Sequence, residues 1–186
     1  YATSVLCGAI AAGWRGPLFI QGDHYQFVAA KYAQDPEAGA AEIARACRLA
    51  IDAGYRNIDI DASTLVDLSL PTIAEQQRLN VERSAEIAAL IRELEPAGIE
   101  ISVGGEIGEV GKSNSTTEEL AAYLDGFGHR GGDGVRLVVG LAPHDPGLVL
   151  LGAEYFGDLR RARRRRAPLL GVDAGAAEGV VALVVE

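Results

Sequence analysis

With 186 residues the chain is long enough for one hydrophobic core and short for two domains. A hydrophobic fraction of 48% beside 23% charged residues is ordinary for a globular protein, and no apolar run is long enough to span a bilayer, so no membrane partner is expected. The net charge of −9 excludes a general nucleic-acid binder, which needs a basic face to neutralise phosphates. The chain starts at Tyr1 rather than Met and lacks the basic-then-apolar layout of a signal peptide, so it is expected to be part of a longer chain. Cys7 and Cys47 match neither a redox CxxC nor a zinc ribbon. They read as buried thiols in a reducing compartment, the cytoplasm.

In chain order, residues 3–13 are small and apolar up to Gly13 and predict a helix. Pro17-Leu-Phe-Ile-Gln21 then reads as a buried strand closed by Gly22. Asp35-Pro36-Glu37 sets an N-cap, a first-turn proline and an acid in the order a helix start favours. Ile43, Ala44, Cys47 and Ile51 follow at helical spacing as far as Gly54, a natural C-terminal stop, and Tyr55–Asp61 predicts the second strand. After a loop with Pro71, Ile87, Ala88, Ile91 and Leu94 form one apolar stripe that ends at Glu95-Pro96-Ala97-Gly98. The third strand is predicted over residues 99–103. Ser115-Thr-Thr-Glu118 reads as a capping box opening a last helix through Phe127. Strand and helix alternating at about forty residues per unit is the rhythm of parallel βα units. It predicts an α/β fold, either part of a (β/α)8 barrel or an open doubly wound sheet.

From Gly128 the composition changes. Residues 128–186 contain no Ser, Thr, Asn, Gln, Lys or Ile, and Gly, Ala, Val, Leu and Arg dominate. The chain therefore divides into a βα segment over residues 1–127 and an anomalous tail over 128–186. That tail is either diverged or a shifted reading frame of a GC-rich gene, because Gly, Ala, Arg and Pro are what GC-rich codons encode. Its arginine run, Arg160 to Arg166, reads as a solvated segment.

Three acidic or imidazole groups fall where strands are predicted to end: Asp23-His24, Asp61 and Glu106. In parallel βα architecture all strand carboxyl ends open on one face, so groups far apart in sequence converge there. Imidazole and carboxylate together suit zinc, and a neighbouring Asp suits general acid or base chemistry. Asp59 and Asp61 alternate and share a strand face. Asp61 is taken towards the metal, the alternative being that the pair caps helices or bonds backbone amides. The loop after the third strand carries four glycines between Gly104 and Gly111, with Glu106 and Glu109 among them. It can serve as a close-approach loop for a ligand, or as a mere tight connection.

Gly22-Asp23-His24, Asn57-Ile-Asp-Ile-Asp61-Ala-Ser-Thr and Val103-Gly-Gly-Glu106-Ile-Gly-Glu-Val-Gly resemble the metal-dependent (class II) fructose- and tagatose-bisphosphate aldolases, over residues 1 to about 127. The resemblance implies a TIM-barrel lyase of carbohydrate metabolism, glycolysis included, that uses zinc and a sugar-phosphate substrate. It implies Asp23 as catalytic acid/base, His24 and Glu106 as zinc ligands, Asp61 near the metal, and Glu109 as second acid/base on the loop. The family takes two more zinc ligands from later histidines that each precede glycine, whereas here His129 precedes Arg130 and His144 precedes Asp145. The alternative is thus a non-catalytic remnant or interaction module of the family, or a metal-free barrel enzyme acting on a sugar phosphate. Exposed flanks of a partial barrel would favour a homo-oligomer.

Overall fold

The computed structural model describes residues 1–108, 115–130, 137–139 and 181–183. Glu109, the arginine run and nearly all of the tail lie outside them. Helix α1 (Ala2–Ala11) leads into β1 (Leu18–Gln26), followed by α2 (Ala29–Gln34), α3 (Pro36–Asp52) and β2 (Asn57–Asp61). A 3-10 turn at Ser63–Leu65 and α4 (Ile73–Gln76) precede α5 (Arg78–Leu94), β3 (Ser102–Gly105), α6 (Thr117–Arg130), β4 (Leu137–Val139) and β5 (Val181–Leu183). The sheet order is β4-β3-β2-β1-β5, with every pairing parallel. The fold is mixed α/β around the three central strands. Among the described residues no helix is long and apolar enough to cross a membrane.

Local sequence explains the best-formed units. Asp35 Oδ1 accepts the Ala38 N–H at 3.0 Å and Pro36 occupies the first turn of α3, an N-terminus built as the sequence predicts. At the other end Gly54 takes φ 91°, and the Tyr55 N–H reaches back to the Ala50 carbonyl at 3.0 Å. That closure needs a residue with a free left-handed conformation. Helix α3 packs on β1 and α5 on β2, and Ile43, Cys47, Ile87, Ala88 and Ile91 form one core with Ile58, Ile60, Ile101 and Val103. Full burial of each large aliphatic side chain contributes roughly 1.5–3 kcal/mol. Helix α3 packs on α5, and α5 packs on α6, so the crossover helices line up as neighbours.

Several boundaries differ from expectation: α1 ends at Ala11 rather than Gly13, β2 starts at Asn57 rather than Tyr55, and α6 runs to Arg130 rather than Phe127. Strand β1 does not stop at Gly22 but continues to Gln26, so Asp23-His24 lie inside the strand rather than after it. Strand β3 starts at Ser102 and runs through Gly104 and Gly105. Upstream, the Ile101 N–H is taken by Glu95 Oε1 at 2.7 Å and its carbonyl by Arg92 at 2.7 Å, which holds that segment off the ladder. The capping box of α6 is Thr116 with Glu119: Glu119 accepts the Thr116 N–H at 2.6 Å, and Thr116 Oγ1 accepts the Glu119 N–H at 3.2 Å.

On β2 the sequence Ile58-Asp59-Ile60-Asp61 alternates, and all four residues are buried. The isoleucines join the core shared with α3 and α5. The aspartates share the opposite face. Two carboxylates buried on one sheet face need a reason beyond packing.

Candidate metal and proton-transfer site

A bulge in β1 creates the site. Gly22 pairs with Ile58 and Tyr25 with Ile60, so Asp23 and His24 together face the single residue Asp59. His24 occupies the left-handed region at φ 49°, uncommon for any residue other than glycine. Gly22 leaves room beside the bulge for the Tyr25 ring, with which a Cβ there would collide. Bulges commonly re-aim a side chain at a functional site.

His24, Asp59 and Glu106 each offer a ligand atom, and these atoms lie within 4.8 Å of one another. They come from β1, from β2 and from the residue after β3, three adjacent parallel strands. Asp59 Oδ2 is buried with no hydrogen-bond partner. Room for this carboxylate depends on Gly104, where an added Cβ would collide with Asp59 Oδ1 and lie 3.1 Å from its Cγ.

Asp61 stands behind His24. Its Oδ1 accepts the Ser63 N–H at 3.1 Å and the Ser63 hydroxyl at 2.7 Å. Its Oδ2 accepts Gln26 Nε2 at 2.6 Å and lies 3.2 Å from His24 Nδ1. With Nδ1 donating to Asp61, Nε2 keeps its lone pair for a metal, the usual arrangement of a carboxylate behind a ligating imidazole. Asp23 lies beside the imidazole, Oδ2 at 3.9 Å from Nε2, while its Oδ1 accepts Gln21 Nε2 at 3.3 Å.

Electrostatics follow from crowding acids in a partly dry place. Burial, then the neighbouring Asp23 and Asp61, push the Asp59 carboxyl up to about 6, with His24 opposing. Burial, then Asp59 and Asp61, push Glu106 up to about 7. For His24 burial favours the neutral ring, but the Asp61 hydrogen bond and the carboxylates of Asp23, Asp61 and Glu106 outweigh it, and its pKa is raised. Such a set is short of positive charge, and one divalent cation would supply it.

Of the residues expected from the sequence, His24 and Glu106 therefore meet, Asp23 adjoins them, Asp61 holds His24 in place, and Glu109 lies outside the described residues. Asp59 joins the group where the resemblance implied Asp61. Its signal was the Ile-Asp-Ile-Asp alternation, and the bulge decides which acid faces His24.

Fold and site define a class: a parallel α/β protein with an imidazole–carboxylate cluster in the carboxyl-terminal halves of β1 and β2 and just past the end of β3, the side of the sheet on which ligands bind in this architecture. No protein-family model, curated protein or solved structure matches the chain. The donors themselves suit zinc. One imidazole nitrogen and two carboxylates are ordinary zinc ligands, and the unpartnered Asp59 Oδ2 is an acceptor in need of a partner.

Proposed function

We propose that the chain carries the metal and proton-transfer part of a class II aldolase-type site, which makes or breaks a carbon–carbon bond in a phosphorylated ketose. The main support is the convergence of His24, Asp59 and Glu106 within 4.8 Å next to Asp23, together with the motifs that resemble that family. A barrel of the (β/α)8 type is favoured over a doubly wound sheet. The order β4-β3-β2-β1-β5 accords with a barrel, in which a late strand closes on the first, and equally with a doubly wound sheet that reverses at β1; the preference for the barrel rests on the motifs that resemble the aldolase family. Cys47 is buried as expected and Cys7 is exposed, contrary to expectation, and neither is paired, which accords with a cytoplasmic setting.

In this proposal His24, Asp59 and Glu106 hold zinc, which when bound polarises a substrate carbonyl. Asp61, fixed by Gln26 and Ser63, holds the His24 ring in one tautomer and orientation. Asp23 is the acid/base. In cleavage it accepts the proton of the hydroxyl next to the bond that breaks, and the bonding electron pair stays with the carbonyl-bearing fragment. In condensation it returns that proton. A second reading, a remnant of the family without turnover, is favoured by the absence of a His-Gly pair anywhere in the sequence.

Assaying the purified chain on fructose and tagatose bisphosphates, with and without a chelator, tests both. Chelator-sensitive cleavage, lost in Asp23→Asn while zinc stays bound, supports the aldolase. Near-normal turnover in Asp23→Asn overturns the assigned role, and zinc binding without turnover supports the remnant.

A further inference from the structure

We infer that Gln77 and Asn80, at the start of α5, are positioning residues of this site: they clamp the backbone that carries Glu106. The inference rests on the proposed metal site. Asp59 is fixed by the ladders of β2 and the His24 ring by Asp61, but Glu106 lies one residue beyond β3. Its segment, Val103-Gly-Gly-Glu106-Ile-Gly108, is half glycine, and glycine leaves the backbone free to adopt many conformations. Something outside that segment must hold it.

The structure shows what does. Asn80 Nδ2 donates to the Glu106 carbonyl at 2.8 Å and to Gln77 Oε1 at 3.0 Å. Gln77 Nε2 donates to the Ile107 carbonyl at 2.7 Å. Ser84 Oγ lies 3.5 Å from Asn80 Oδ1 and extends the chain of contacts along α5. Gln77 is 1% exposed, and Asn80 and Ser84 are wholly buried. These amides thus sit in the interior for their hydrogen bonds alone, on a helix that also packs on β2. Two successive carbonyls gripped at Glu106 and Ile107 fix the direction of the Glu106 Cα–Cβ bond, and with it the reach of the carboxylate towards His24 and Asp59. Groups that orient a ligand in this indirect way typically set metal affinity by about 10–100-fold.

The test is zinc titration of the intact chain, the variants Asn80→Leu and Gln77→Met, and the control Arg78→Ala, whose side chain is exposed and pairs with Glu82. Cobalt substitution, with its visible absorption bands, reports geometry at the same site. A purely structural role lowers the fraction of folded, metal-competent chains at unchanged affinity and spectrum. Positioning weakens affinity by about 10–100-fold and alters the cobalt bands in chains that remain folded, while Arg78→Ala behaves as the parent. Gln77→Met, nearly isosteric, carries the test if Asn80→Leu does not fold. Parent-like affinity and bands in the folded variants overturn the clamp alone. A parent chain that takes up no zinc overturns the metal site, and the clamp with it.

Discussion

The acid cluster makes a specific demand on stability. In the metal-free chain Asp59 rises from 3.8 to about 6 and Glu106 from 4.5 to about 7, so the folded state holds these protons more tightly than the unfolded state does. A carboxyl raised in this way stabilises the fold at pH below its ordinary value and loses that contribution as pH climbs through the folded value. The raised His24 pKa acts in the same direction, its contribution disappearing above the ordinary imidazole range. The Asp59 displacement alone corresponds to roughly 3 kcal/mol at 1.36 kcal/mol per pH unit. Glu106 adds to this, but it is more open to solvent and its displacement is discounted for screening, so roughly 3 kcal/mol is a lower bound for the pair. For a chain of this size that is about 6–12 °C in Tm. Calorimetric melts in chelator should therefore fall by at least about that amount between about pH 4 and pH 8 relative to the Asp59→Asn, Glu106→Gln double variant. The subtraction removes the general repulsion expected of a chain with net charge −9. Zinc, which competes with protons for the same oxygens, should raise Tm more at pH 8 than at pH 5. A parent and double variant that melt in parallel across this range would refute the buried-acid account.

Gly104→Ala drives a methyl into the Asp59 carboxylate; the expected outcome is zinc affinity lowered at least tenfold with secondary structure kept, read by titration and circular dichroism. Asp61→Ala strands the Ser63 N–H and hydroxyl and frees Gln26 and His24. Urea unfolding should show a loss of about 2–4 kcal/mol, together with weaker zinc binding. Asp35→Ala removes the N-cap of α3 far from the site and should cost about 1 kcal/mol with zinc affinity unchanged.

How far the sequence speaks for the structure varies by element. Helix α3 is written locally in Asp35-Pro36-Glu37 and Gly54, and its ends obey cap chemistry that needs no tertiary partner. The end of β1 is not. Gly22 has the look of a strand stop, yet it is the glycine that makes room for the Tyr25 ring, and only the folded sheet discloses that contact. Residues 99–101 have strand character, but the Ile99 N–H turns back to the Pro96 carbonyl and Arg92 and Glu95 take the hydrogen bonds of Ile101, while Gly104 and Gly105, poor strand formers, pair with Asp59 and Ile60. At α6, Ser115 with Glu118 and Thr116 with Glu119 spell the same capping box one residue apart, and local sequence cannot choose between them. The site follows the same logic. The meeting of His24 with Glu106 was legible from strand rhythm, whereas the place of Asp59 rather than Asp61 in the cluster depends on the β1 bulge. The clamp at Gln77 and Asn80 was hidden because buried amides leave no periodic signature.

The central claim is that His24, Asp59 and Glu106 bind one metal ion together. Zinc-edge X-ray absorption on the zinc-loaded chain tests it most directly. The expected spectrum shows one zinc per chain bound by nitrogen and oxygen at about 2.0–2.2 Å, with the imidazole signature lost in His24→Ala. A chain that retains no zinc, or one whose zinc shows sulfur at about 2.3 Å, would contradict it.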